Sequence, residues 1–146
     1  MGDVDGKELI VLIHGTGSSE PAPEGQPRFW WEGGSAFAQA LMGRLDPGRY
    51  DLAPPFTWSG ANSETVRRTA GAALEKQLRD WDKQGRKYHL VGHSHGGSVI
   101  WHALVRSRRS GKPLSGLITW TTVGTPYLEF QPDLLSLWPI APLVAT

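Results

Sequence analysis

One run of residues near the amino terminus constrains the fold more than any other. Glu8-Leu9-Ile10-Val11-Leu12-Ile13 contains five consecutive apolar residues and leads into a segment rich in glycine, serine and proline. A strand that is apolar on both faces must be covered on both sides, as an inner strand of a parallel sheet is. The run therefore predicts a sheet with helices packed against each face.

Three further strand-like runs follow, at residues 50–56, 88–91 and 117–123. Helix-like runs separate them, and this alternation predicts an α/β fold with a doubly wound, mainly parallel sheet and flanking helices. Pro54 and Pro55 restrict the second strand to an edge or to its own end. We expect residues 1–126 to form the core. Residues 127–146 are expected to be an apolar C-terminal tail or the start of a missing cap or second half.

Each of the three helix-like runs has a defined start or stop. The first begins with Ser35 as N-cap and ends at Asp46-Pro47-Gly48, and the second begins at Asn62 or Ser63. Trp81, in the second helix pattern, and Trp120, in the fourth strand pattern, are expected in the core. The last turn of the third helix complements the helix dipole with four basic residues, Arg106, Arg108, Arg109 and Lys112.

Composition excludes several classes of protein. The chain has 146 residues, about the length of one domain, and its 39% of hydrophobic residues can form a core. The absence of cysteine rules out disulfide scaffolds, cysteine-ligated metals and thiol nucleophiles. The formal net charge of +1 gives no reason to expect nucleic-acid binding.

The two ends of the chain bear on its location. Residues 1–6 have neither the basic nor the apolar region of a signal peptide, so a cytoplasmic protein is expected. Residues 134–145 are apolar but contain two prolines, and they are too few to span a bilayer. Several alternatives stay open for this tail: it contacts a membrane surface, contacts a partner chain, or mediates self-association. Membrane association through missing sequence also stays open.

The most specific motif lies between the third strand and the third helix. Gly92-His93-Ser94-His95-Gly96-Gly97 has the pattern Gly-x-Ser-x-Gly. An abrupt turn from strand to helix lifts the serine hydroxyl clear of the sheet, and glycine at Gly92 and Gly96 lets the neighbouring backbones approach. The amino-terminal N–H groups of the helix then point to where negative charge develops. The pattern indicates a nucleophilic serine, although a glycine-rich turn with an incidental serine is the simpler alternative.

A second motif, His14-Gly15-Thr16-Gly17, follows the first strand. A glycine-flanked turn there can direct a backbone N–H towards the serine, and acyl transfer needs two such donors for the oxyanion. We expect these donors to be the amides of Thr16 and His95. His14 is interpreted as an imidazole that braces its own loop rather than as a catalytic base.

These motifs, together with Val123-Gly124-Thr125-Pro126, resemble the α/β-hydrolase superfamily in order and spacing, and bacterial lipase-like serine esterases in particular. The resemblance spans His14 to Pro126. It implies that Ser94 is the nucleophile and that the Thr16 and His95 amides form the oxyanion hole, with Gly15 among the supporting residues. The implied reaction is ester hydrolysis through an acyl-serine intermediate.

A serine hydrolase also needs a histidine base and a carboxylate that orients it. In this superfamily the acid and then the histidine follow the serine along the chain. Only His95 and His102 follow Ser94, and His102 lies about two helical turns further on, where it points away. Glu129 and Asp133 are candidates for the acid or are exposed loop charges, and no histidine comes after them. We therefore expect a truncated hydrolase whose base comes from sequence outside this chain.

Two other sets of side chains allow more than one interpretation. Three histidines, at 93, 95 and 102, offer imidazoles to a metal, but no carboxylate stands beside them in the sequence, so neither a metal nor another cofactor is expected. The tryptophans Trp30, Trp31 and Trp58 lie in or beside loops near the predicted site. They either line an apolar acyl pocket or pack the loops.

The sequence thus supports two hypotheses of different kinds. The first is a serine hydrolase of the lipase or esterase kind, which cleaves a small-molecule or lipid ester with an apolar acyl group. The second is a catalytically silent α/β scaffold that associates through an open sheet edge and its apolar tail.

Overall fold

The computed structural model describes residues 6–17 and 20–127. In these residues strands and helices alternate in the order β1 (Glu8–Ile13), α1 (Ala36–Met42), β2 (Tyr50–Leu52), α2 (Glu64–Lys83), β3 (Tyr88–His93), α3 (His95–Arg109) and β4 (Leu117–Val123). The four strands are parallel, and their order across the sheet is β2-β1-β3-β4. The predicted doubly wound α/β fold is confirmed.

The strand β1 lies inside the sheet, between β2 and β3. Five of its six residues are buried, because helices cover both of its faces. Leu9, Val11 and Ile13 pack with residues of α2 and α3, whereas Ile10 and Leu12 pack with residues of α1 and with Trp31. The uninterrupted apolar run is the consequence of this two-sided burial.

The helix α1 begins as predicted, since the Ser35 side chain accepts a hydrogen bond of 3.1 Å from the Ala38 N–H. The prediction that it continues to Asp46 was wrong, because α1 ends at Met42. Beyond Gly43, two turns follow in which N–H groups bond carbonyls three residues back, and Leu45 still packs against the core from there. Leu45 therefore belongs to a turn, although its spacing from Leu41 is that of a helix.

The strand β2 is also shorter than predicted, and it ends at Leu52 rather than Phe56. Pro54 and Pro55 have no N–H to continue the ladder, so the strand stops before them. Phe56 rejoins the sheet through a single bridge to Ile13, and its N–H donates to the Leu12 carbonyl at 3.3 Å. As the prolines indicated, β2 is an edge strand of the described sheet.

The helices α2 and α3 pack against each other on one face of the sheet. They approach closely at Gly71, where a Cβ atom would stand 2.5 Å from the Cβ of His102. The buried carboxylate of Glu75 then links the two helices, because it pairs with Arg79 at 2.6 Å and with Arg106 at 2.7 Å. No helix in the described residues is both long and apolar enough to cross a membrane.

The expectation that Trp120 belongs to the core was wrong. Its side chain is 40% exposed, and Ile118 and Val123 in the same strand are 46% and 54% exposed. All three belong to β4, which forms the other edge of the described sheet. The β-branched and aromatic composition of this segment indicates a strand, but it does not reveal whether the strand is covered.

Candidate active site

Ser94 stands at the turn between β3 and α3 with a backbone φ of 52° and ψ of −132°. It is the one residue other than glycine that has a positive φ in the described part of the chain. Three hydrogen bonds hold this conformation. The Ser94 N–H donates to the Val123 carbonyl at 2.8 Å, and the Ser94 carbonyl accepts from the Gly97 N–H at 3.0 Å and from the Thr125 hydroxyl at 2.8 Å. Such a conformation costs about 1–3 kcal/mol and is kept where the surroundings enforce it.

The glycines around Ser94 are required by close packing. A Cβ atom at Gly92 would lie 2.7 Å from the Gly97 nitrogen, which is closer than real contacts allow. At Gly96 a Cβ would collide with the carbonyl oxygens of Ile13 and His14, and at Gly97 with the Thr125 side chain. The turn is therefore held between the ends of β1 and β4, and the glycine spacing of the motif follows from that position.

The loop after β1 lies directly beside the serine. A Cβ atom at Gly15 would stand 2.9 Å from the Ser94 Cβ, 3.0 Å from the His93 carbonyl oxygen and 3.4 Å from the Ser94 hydroxyl oxygen. Thr16 follows in this loop, and His95 is the first residue of α3. The structure thus brings the His14-Gly15-Thr16 segment and the Ser94-His95 turn into contact at the carboxyl ends of two adjacent parallel strands.

This strand, turn and helix arrangement agrees with what comparison with known proteins finds. A sequence model of the Alpha/beta hydrolase family matches residues 10–145. The chain belongs to this family. The match extends over both glycine motifs and confirms the resemblance to the α/β-hydrolase superfamily. Comparison with curated proteins and with solved structures gives no match.

His14 is fully buried at the base of this hydrolase-family site. Its Nε2 accepts a hydrogen bond from the Trp58 N–H at 3.1 Å, and its Nδ1 lies 2.9 Å from the Gly15 carbonyl oxygen. Burial lowers the pKa of His14, which keeps the ring neutral. Because the Gly15 carbonyl and the Trp58 N–H occupy both ring nitrogens, neither is free to take a proton from Ser94.

The other histidines near the turn have different partners. His95 Nδ1 lies 3.3 Å from the Ser98 hydroxyl, and His102 Nε2 lies 3.2 Å from a carboxylate oxygen of Glu64 on α2. His93 is exposed and packs edge-on against Trp30, with ring centroids 5.7 Å apart. Burial and the charge of Arg67 lower the pKa of His95, although Glu64 acts in the opposite direction.

None of the histidine contacts described above places a base at Ser94. Within residues 6–17 and 20–127, the Ser94 hydroxyl makes no hydrogen bond to a histidine. The two candidate acids, Glu129 and Asp133, lie outside the described residues, as does the apolar run 134–145. The described residues also contain no group of three or more histidine or acidic side chains placed to hold a metal.

An apolar pocket of about 240 Å³ opens next to the turn, on the face of the sheet that carries α1. Its lining consists of Trp30, Phe37, Val91, His93 and Val123. His93 directly precedes Ser94, and the Val123 carbonyl accepts the Ser94 N–H, so the pocket adjoins the backbone of the turn. Of the three tryptophans in question, Trp30 lines this pocket, while the other two, at 31 and 58, are buried and pack the loops.

Two contacts at the site were not predicted from the sequence. The Thr125 hydroxyl bonds the Ser94 carbonyl, and the Trp58 indole N–H donates to the His14 carbonyl at 2.9 Å. The Gly-Thr-Pro segment contained a signal for Thr125, because it follows β4 immediately. The sequence placed Trp58 in or beside a loop near the site, but nothing local indicated that its partner is His14, which is 44 residues away.

Proposed function

We propose that this chain is a serine hydrolase of the lipase or esterase kind, with Ser94 as nucleophile. The observation that carries the proposal is the strained conformation of Ser94, maintained directly beside Gly15 at the start of α3. Strained residues of this kind cluster at active sites, and here the strain presents a hydroxyl to two glycine-lined segments.

The proposed reaction has two stages. The Ser94 oxygen attacks the carbonyl carbon of an ester while a base takes the hydroxyl proton, and the alcohol leaves with a proton as the acyl-serine bond forms. Water then attacks this acyl-serine, releasing the carboxylic acid and restoring the serine. The backbone amides of Thr16 and His95 would stabilise the oxyanion in both stages, each such donor being worth about 3–4 kcal/mol.

The apolar pocket beside the turn supports an ester with a short apolar acyl group. Its volume of about 240 Å³ is below the roughly 300–1,000 Å³ of sites that enclose drug-sized ligands. Its lining offers Trp30, Phe37 and Val123 to an alkyl chain. A substrate bound there would place its carbonyl near the Ser94 backbone.

Labelling with a fluorophosphonate tests the nucleophile. An activated serine oxygen displaces fluoride and forms a bond to phosphorus, and the mass of the adduct identifies the modified residue. Labelling at Ser94 that is absent in Ser94→Ala would support the proposal, and it would overturn the expectation that the base comes from sequence outside this chain. A folded wild-type chain that stays unlabelled would refute the proposal that this chain acts as a hydrolase by itself, because it would show that no base reaches Ser94.

A series of p-nitrophenyl esters tests the acyl group. We expect kcat/KM to be highest for acetate to hexanoate and to fall for longer chains. Val123→Phe fills the pocket and should shift the preference towards acetate, whereas Val105→Phe in α3, at a residue that does not line this pocket, should not. Equal effects of the two substitutions would contradict the assignment of the pocket.

A second candidate function rests on the exposed edge of β4. We propose that this edge, with Ile118, Trp120 and Val123, mediates self-association, since within the described residues no strand pairs with its outer side. Sedimentation velocity over a hundredfold range of concentration tests it. A monomer throughout, or an oligomer unchanged by Trp120→Lys, would contradict the proposal.

A further inference from the structure

Two loops that are far apart in the sequence are joined at His14. The first follows β1 and contains Gly15 and Thr16, and the second follows β2 and contains Trp58. Trp58 bonds His14 twice, through its backbone N–H to Nε2 at 3.1 Å and through its indole N–H to the carbonyl at 2.9 Å. A third bond joins the same loops, from the Gly17 N–H to the Gly60 carbonyl at 2.9 Å.

The hydrogen bonds determine the tautomer of His14. Because Nε2 accepts the Trp58 N–H, that nitrogen carries no proton. In a neutral ring the proton is therefore on Nδ1, from which it is donated to the Gly15 carbonyl at 2.9 Å. One imidazole thus connects the Trp58 backbone to the residue that contacts Ser94.

Aromatic packing excludes water from this junction. The His14 ring is stacked on Trp58, with centroids 5.7 Å apart and an angle of 11° between the planes, and Trp31 covers it at 4.9 Å. His14 and Trp31 have at most 1% of their surface exposed, and Trp58 has 8%. A hydrogen bond broken here would leave a buried polar group unpaired, so the arrangement resists displacement.

We propose that Trp58 is a positioning residue that holds the loop after β1 against Ser94, with His14 in its Nδ1–H form as the link. This role rests on the proposed function, because the loop is expected to supply the Thr16 amide to the oxyanion. Trp58 does not contact Ser94 in this scheme. It acts through His14 and Gly15, and a displaced loop would weaken the oxyanion hole without removing the serine.

Protonation of His14 would break the link in a specific way. A proton on Nε2 would face the Trp58 N–H, so that two donors would point at each other. The groups packed against the ring are the uncharged Trp31 and Trp58, and no charged side chain of the described residues contributes to the shift in its pKa. The loop is therefore expected to loosen when the ring becomes charged.

The substitution Trp58→Phe tests the proposal, since it keeps an aromatic ring and the backbone N–H but removes the indole donor. Trp81→Phe is the matched control, because Trp81 packs against the same core from α2 and makes no contact with the loop after β1. Hydrogen exchange of the Gly17 amide, followed by NMR, reports the loop directly. Fluorophosphonate labelling reports its effect on Ser94.

We expect the Gly17 amide to exchange at least tenfold faster in Trp58→Phe, with β1 amides unchanged, and Ser94 labelling to slow at least tenfold. Gly17 exchange equal to that in Trp81→Phe would overturn the proposal. Faster exchange with unchanged labelling would overturn the positioning role. Faster exchange in a chain whose wild type is never labelled would support the loop connection and refute the proposed function.

A measurement on the wild type covers the case in which Trp58→Phe does not fold. The ¹⁵N chemical shifts of the His14 ring distinguish its two neutral forms. We expect the Nδ1–H form at pH 7.5. The hydrogen bond from the Trp58 N–H to Nε2 should appear as a scalar coupling across the bond or as slow exchange of the Trp58 amide. An Nε2–H form would overturn the proposal, because that nitrogen could not then accept the Trp58 N–H.

Discussion

Gly15 and Ser94 are packed so closely that a Cβ atom on the glycine would stand 2.9 Å from the Cβ of the serine. The contact joins the end of β1 to the turn between β3 and α3, two segments separated by almost 80 residues in the chain. Because Gly15 has no side chain, its backbone lies directly beside the Ser94 hydroxyl. The first two predictions below concern this contact and the positive φ of Ser94.

The first prediction concerns the space at Gly15. In Gly15→Ala the new methyl group must displace the loop or the serine, so Ser94 labelling should fall at least tenfold. The overpacking should also lower the free energy of unfolding by about 1–3 kcal/mol. Gly33→Ala is the control, because a Cβ there meets nothing within 4 Å. Fluorophosphonate kinetics and urea unfolding measure the two effects, and equal labelling of both variants would contradict the prediction.

The second prediction concerns backbone strain at Ser94. Glycine adopts a positive φ without the steric cost that a side chain has. We therefore expect Ser94→Gly to be more stable than Ser94→Ala by about 1 kcal/mol, since both lack the hydroxyl and only alanine keeps the strain. Urea unfolding of the two variants measures the difference. If alanine proved as stable as glycine, the turn would not be strained in solution.

The third prediction concerns stability against pH. The pKa values of His14 and His95 are lowered in the folded chain. As the pH falls below about 6.5, the unfolded imidazoles bind protons before the folded ones, so the free energy of unfolding should decrease. Each histidine contributes at most about 1.4 kcal/mol per pH unit to this decrease in the free energy of unfolding.

Urea unfolding at pH 7.5, 6.5 and 5.5 measures this slope. The window lies above the range in which the carboxylates with lowered pKa values, Glu8, Glu64 and Asp80, contribute. In His95→Gln a decrease should remain, because the contribution of His14 persists. A stability that stayed constant between pH 7.5 and 5.5 in that variant would show that His14 is free to protonate in the folded chain.

The fourth prediction compares two arginines that pair with Glu75. Arg79 also donates to the Ser110 hydroxyl at 3.2 Å and to the Lys112 carbonyl at 2.9 Å, so it connects α2 to the end of α3. Among the described residues Arg106 pairs with Glu75 alone, and its side chain is 65% exposed. We expect Arg79→Met to lower the free energy of unfolding by about 1–3 kcal/mol and Arg106→Met by less than about 1 kcal/mol. Thermal and urea unfolding measure both, and the reverse order would contradict the described geometry.

The sequence alone determined the features that depend on neighbouring residues, which are the β1 strand, the turn at Ser94 and the end of β2. Five consecutive apolar residues require burial on both faces, which identified β1 as an inner strand, and the alternation of strands and helices predicted the parallel α/β fold. The Gly-x-Ser-x-Gly spacing placed Ser94 at a turn between strand and helix, because only glycines permit such close backbones. The prolines at 54 and 55 indicated where β2 loses its ladder.

The tertiary structure alone decided which distant groups meet. Trp58 and His14 are 44 residues apart, and their two hydrogen bonds depend on the parallel pairing of β1 with the segment after β2. Trp120 has the composition of a core strand yet lies at an edge, because coverage depends on neighbours and not on propensity. Periodicity and glycine spacing act over a few residues and can be read from the chain. Contacts across the sheet depend on strand order and register, which exist only once the strands have paired.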